Sequence, residues 1–225
     1  MNGTIMVTPM SMFYILLAFN PRTAWEKMAL TRRGYGRVFA CHLIPLILLV
    51  SVAEGIGLCH WGKWQLRFLR IKEFTPTSAM SYELVQAGLF LGMVVFSTFV
   101  LQRIVETFGQ RRSSLPTFKL MAYAFTPFFI AHLLNLDPKM SPWVSWGLGV
   151  GLTVWVLYHG VPQMLQPDPP QTFGIYLSAI TVVVLASGFI RIMTGTYLLG
   201  EMDLPHSYLS HHYPAFVGVV GKYLN

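Results

Sequence analysis

Trp143–Leu165 reads WVSWGLGVGLTVWVLYHGVPQML and contains no Asp, Glu, Lys or Arg. As an α-helix it is long enough to cross a hydrocarbon core of about 30 Å, which takes about 20 residues. Pro142 precedes it and Pro167-Asp168-Pro169-Pro170 follows it, so its ends are punctuated by helix breakers. Four further stretches have the same character: Gly36–Leu58, Tyr82–Val105, Thr117–Leu136 and Phe173–Leu199. Thr75-Pro76-Thr77, Arg111-Arg112-Ser113 and Asp137-Pro138 separate them. Pro45 and Pro127 fall inside spans, where neighbouring helices can satisfy the freed carbonyls, so a kink rather than a break is expected. The fold class that follows is an all-α polytopic membrane protein with five transmembrane helices.

Composition leads to the same place. Hydrophobic residues make up 54% of the 225 residues and charged ones 11%, with a mean hydropathy of +0.52. Soluble domains carry about a quarter charged residues, so one globular core could not hide this apolar surface. The net charge of +7 is therefore read as loop Lys and Arg that set topology and meet anionic lipid, not as a nucleic-acid surface. Cys41 and Cys59 lie on one span about 27 Å apart along the helix axis, too far for a disulfide within one chain.

Three parts are expected: a cytoplasmic or interfacial segment over residues 1–35, the membrane domain over 36–199, and an extracytoplasmic tail over 200–225. The run Met10–Phe19 ends in Asn20-Pro21 without a small-residue cleavage site. It reads as part of an interfacial helix anchored by Phe13, Tyr14 and Trp25 rather than as a secretory signal. Arg22, Lys27, Arg32, Arg33, Arg37, Arg103, Arg111, Arg112 and Lys119 fall on one side; Lys63, Arg67, Arg70, Lys72, Lys139 and Lys222 fall on the other. The larger set places the N-terminus in the cytoplasm. The first outer loop, Trp61–Arg70, interleaves aromatics and cations, as suits a segment at headgroup level. Pro214–Leu224 is too short to span and is expected to lie on or dip into the membrane.

Candidate site residues follow from what a bilayer penalises. Glu54 and Arg191 fall at similar depth near the outer boundary, where they either pair within one polar cluster or snorkel separately to the interface. Small residues four apart, Gly88 with Gly92 and Gly147 with Gly151, mark faces for close helix contact inside the chain or between subunits. His42 with His159, and His60 with His132, are the pairs that a bis-histidine haem would need, although a membrane histidine equally bonds a backbone carbonyl. Asp203, His206, His211 and His212 could offer a metal site, but Pro205 and Pro214 argue for irregular backbone there. The reading taken is no cofactor and no metal. No nucleophile–base pair, phosphate loop or dinucleotide fingerprint occurs, and no catalytic residue is assigned.

The order of features resembles the Yip1 domain family in its small bacterial form. The likeness begins with the short N-terminal helix, Asn20-Pro21 and Trp25. It is most specific in Phe118-Lys119-Leu120-Met121-Ala122-Tyr123-Ala124-Phe125-Thr126-Pro127, and returns in Leu157-Tyr158-His159-Gly160-Val161-Pro162. It implies a five-helix membrane domain with a cytoplasmic N-terminus. Tyr123, Thr126 and Pro127 are expected to serve a helix kink and its hydrogen bonding. Eukaryotic relatives act in vesicle traffic with lipidated small GTPases through longer N-terminal regions. With about 35 residues before its first span, this chain is not expected to share that role. The expected function is a non-enzymatic scaffold or accessory subunit binding lipids, other membrane proteins or itself. A transporter or channel, or a haem-bearing electron-transfer subunit, is the alternative.

Overall fold

In a computed structural model, residues 21–30, 34–65, 70–109 and 113–198 are described. Phe13, Tyr14, Arg67, Pro214–Leu224 and the tail residues Asp203, His206, His211 and His212 lie outside them. Helix α1 is Pro21–Leu30. Five helices are long and apolar enough to span: α2 (Tyr35–His60), α3 (Pro76–Thr107), α4 (Ser114–Leu136), α5 (Pro142–Met164) and α6 (Pro169–Leu198). These are the five expected spans, with α3 and α6 starting several residues earlier. Proline opens both of these helices and α5, at Thr75-Pro76, Pro169 and Ser141-Pro142: proline at the first helical position lacks only an N–H that would be unpaired there anyway. Thr75 and Ser141 add side-chain caps, accepting from the Ser78 and Trp143 backbone N–H.

The third span is the centre of the bundle. In α4, 83% of the most apolar window is buried, against 33–39% in the other four. Helices α2, α3, α6 and α5 surround it in that order, each packed on the next, and α2, α3 and α5 also pack on α4. Phe90, Phe125, Phe128 and Phe129, all buried, fill the middle. Their rings meet mostly at steep or tilted angles 5.3–6.2 Å apart, the arrangement that the ring quadrupoles favour.

Both interior prolines act locally. Ahead of Pro45 the helix widens into a π turn over Phe39–Leu43, which absorbs the missing N–H without breaking α2. At Pro127, α4 divides into Ser114–Ala124 and Thr126–His132, joined at Phe125. The two irregularities touch: His42 Nε2 lies 3.1 Å from Thr126 Oγ1, and its ring packs on Tyr123 at 4.3 Å.

Two expectations at the ends of the bundle are corrected. Trp25 is not an interfacial anchor. Helix α1 packs on α5, and Trp25 is fully buried, donating from Nε1 to the Val156 carbonyl at 3.0 Å. Gly160 makes this possible, because a Cβ there would stand 2.7 Å from both the indole and Leu120. Likewise not every cation of the Trp61–Arg70 loop faces the surface. Lys63–Gln65 (β1) and Arg70–Lys72 (β2) pair antiparallel, and Lys63 turns inward to 1% exposure.

Candidate functional site: a buried polar network at one end of the bundle

A helix end leaves four carbonyls without intrahelical partners. Helix α4 closes in a 3-10 turn, Leu133–Leu136, and Lys63 Nζ donates to the Asn135 and Asp137 carbonyls, both at 2.9 Å. A cation at a helix C-terminus is also favoured by the helix dipole. Asn135 extends the connection with its side chain. Its Nδ2 donates to Glu54 Oε1 at 3.1 Å, and its Oδ1 accepts from Ser145 Oγ at 2.8 Å. The second Glu54 oxygen accepts from Gln86 Nε2 at 2.7 Å, and Gln86 Oε1 accepts in turn from the Tyr82 hydroxyl. One network therefore ties the hairpin, α2, α3, α4 and α5. Leu58, Phe74, Ala79, Tyr82 and Leu198 form a small apolar cluster at the same end.

Arg191 on α6 completes the site. It is 1% exposed and lies within electrostatic reach of Glu54 and Tyr82. It forms no ion pair with Glu54: the one ion pair within 4 Å among the described residues is Arg103–Glu106. Glu54 and Arg191 thus share a buried region without direct contact, and neither snorkels to the interface. The Arg191 nitrogens have no hydrogen-bond partner among the described residues, nor do both carboxylate oxygens of Glu83 or the Ser51 hydroxyl. Glu54 and Glu83 are buried acids, and Lys63 and Arg191 buried cations; of the two acids, Glu54 is the one within electrostatic reach of both cations.

Burial is the largest influence on Lys63 and pushes its ammonium down from the ordinary 10.5 to about 8; Arg191 adds to this, and Glu54 and Asp137 oppose it. Between these two values the unfolded chain holds a proton that the folded chain has released. Stability from this residue therefore rises with pH across that window. In thermal melts in detergent, the advantage of the wild type over Lys63→Met should widen between pH 8 and 10.5. A gap that narrows would show that the folded state holds the charged form more tightly.

The other sequence candidates fall elsewhere. A Cβ built at Gly88, Gly92, Gly147 or Gly151 meets no atom within 4 Å, so none of the four makes the close in-chain contact expected of it. Gly149, between the last two, makes that contact instead, with Phe128 and Ala131. The histidines do not pair as a haem would need. His42 is engaged with Thr126, while His159 Nδ1 bonds the Trp155 carbonyl at 3.2 Å. His132 is buried against Phe90 and Phe128 and bonds the Phe128 carbonyl, whereas His60 is exposed. Among the described residues no three His, Cys, Asp or Glu side chains converge as metal ligands would. In the family string, Phe118, Lys119, Tyr123, Thr126 and Pro127 are buried in α4, and Gly160 seats Trp25. Tyr158 and Pro162 are exposed on α5.

Sequence reasoning missed Lys63, Tyr82, Glu83, Gln86, Asn135 and Ser145. A signal existed: Tyr82, Glu83 and Gln86 recur at helical spacing on the first turns of one apolar span, where unpaired polar groups are costly.

A buried carboxylate and amides joining four membrane helices, with a buried guanidinium on the fifth, define a multi-pass helical membrane protein with an internal polar clasp. A family model described as the Yip1 domain matches residues 15–191, most of the 225, and the chain belongs to the Yip1 family. No curated protein and no solved structure matches it.

Proposed function

We propose that this protein is a non-enzymatic scaffold or accessory subunit of the bacterial inner membrane, with its N-terminus in the cytoplasm. It works by docking a transmembrane helix of another membrane protein. The observation that carries this reading is the face of α3 with Gly88 and Gly92. Together with Phe96 and with Val182, Leu185 and Phe189 of α6, it lines an apolar groove of about 550 Å³. Among the described residues nothing comes within 4 Å of a Cβ built at either glycine. Between helices in lipid, close backbone approach at small residues replaces water exclusion as the source of association. Glu54, Gln86, Asn135 and Ser145 in the interior, by contrast, bind one another, and the phenylalanines packed in the middle of the bundle speak against a transport path. The asymmetry of Lys and Arg supports the orientation.

The test is purification in mild detergent with a photo-crosslinker at Phe96, followed by mass spectrometry. A defined membrane-protein partner should crosslink, and Gly92→Leu should reduce its recovery about tenfold, equivalent to about 1.4 kcal/mol. Because the site is open, Gly92→Leu should leave the thermal melt unchanged. A chain that runs alone, or a partner indifferent to Gly92→Leu, overturns the reading.

A further inference from the structure

A second groove, of about 550 Å³, lies where α5 ends and α6 begins, at the opposite end of the bundle from the Glu54 network. Arg22, Tyr158, His159, Gln163, Phe173 and Tyr176 are among its lining. It shares no lining residue with the groove at Gly88 and Gly92. Three features give it chemical character.

The first is free hydrogen-bonding capacity. Arg22 is exposed and has neither a hydrogen bond nor an ion pair among the described residues, and Gln163 is likewise without a side-chain partner there. Asp168, the acid nearest in sequence to the start of α6, is exposed and outside the lining. The second is an aromatic wall. Tyr158 packs edge-on against Tyr176 at 5.5 Å and against His159 at 5.1 Å, and His159 packs on Trp155 at 4.8 Å. Trp155, Tyr158 and Phe173 are 53%, 58% and 71% exposed, so this wall faces outward. The third is depth. A helix the length of α5 rises about 35 Å against a hydrocarbon core of about 30 Å, and His159 lies about 8 Å from its end. The groove therefore runs from the last few ångströms of the hydrocarbon core at His159 to headgroup level at the helix end, with the positive end of the α6 dipole beside it.

We propose that this groove binds the phosphate headgroup of an anionic lipid. Arg22 is the charge partner, Gln163 supplies a further donor, and the aromatic wall takes the glycerol and the upper acyl chains. A guanidinium with no partner among the described residues presents a fork of donors matched to phosphate oxygens, and exposed aromatics at this level are at home against lipid.

The experiment is native mass spectrometry of the full chain in a non-ionic detergent, titrated with phosphatidylglycerol or with phosphatidylcholine of the same acyl chains. Phosphatidylglycerol should bind about tenfold tighter, the ratio for one well-placed charge-assisted contact. Arg22→Ala should bring the two lipids to near-equal affinity, Arg22→Lys should fall between, and Gln163→Ala should weaken phosphatidylglycerol alone. Arg37→Ala, an exposed cation outside the groove, should leave the preference intact. Equal binding of both lipids by the wild type, or an equal loss in Arg37→Ala, would show only diffuse surface charge and overturn the site. Full competition by inorganic phosphate would overturn the lipid as its occupant. None of these outcomes bears on partner docking at Gly92.

Discussion

Replacing Glu54 with leucine is expected to destabilise the bundle by about 3–5 kcal/mol, the range for removing one partner of a buried charge set. The carboxylate is 1% exposed and is the acceptor for Gln86 and Asn135. Removing it leaves two buried amide donors bare and takes away the acid that faces Lys63 and Arg191. Glu54→Gln keeps an acceptor and should cost less. The informative variant is Glu54→Leu combined with Arg191→Met. If the two residues share one field without touching, the double variant should recover part of the loss, because no cation is left facing a missing acid on α6. Thermal unfolding in detergent, followed by tryptophan fluorescence, reads all three. Strictly additive losses would mean that Glu54 and Arg191 are independent, and the clasp would then end at Gln86 and Asn135.

Truncating Trp25 to alanine should cost about 3–5 kcal/mol, as for other fully buried large side chains. The indole fills space between α1, α4 and α5, packs on Tyr123 edge-to-face at 6.4 Å, and satisfies a second bond at the Val156 carbonyl. Its partner in this fit is Gly160. Gly160→Ala places a methyl 2.7 Å from the indole and from Leu120, which should cost about 1–3 kcal/mol by overpacking. In a Trp25→Ala background most of that cost should disappear, leaving only the part due to Leu120. The same melts measure it, and a cost unchanged by Trp25→Ala would assign the crowding to Leu120 alone. The pair explains why a tryptophan just after Asn20-Pro21 and a glycine in Leu157–Pro162 occur together, although 134 positions separate them.

Apolarity and length were enough to find every span, because a bilayer sets one demanding criterion that five stretches meet. The kink at Thr126-Pro127 was legible for a similar reason, since proline chemistry acts within one turn of its own position. Side-chain partners were not legible. Gly147 and Gly151 have the spacing of a contact face, yet Gly149 makes the contact, because facing residues depend on helix rotation that no local pattern fixes. Lys63 looked like a headgroup cation among aromatics. It became a helix cap because the hairpin folds back over the end of α4, where carbonyls without partners attract it.

Five apolar stretches, with the strings around Thr126 and Gly160, are enough to identify a five-span membrane protein of this family. Hydrophobic length and proline punctuation are local quantities, and transfer into lipid rewards them whatever the packing. The tertiary packing, in contrast, makes the third span central and draws Trp25 into the interior. It alone joined Glu54 to Asn135 and Gln86 rather than directly to Arg191. Those outcomes depend on which helix faces meet, and hydrogen bonds formed over a few ångströms between distant segments settle that choice.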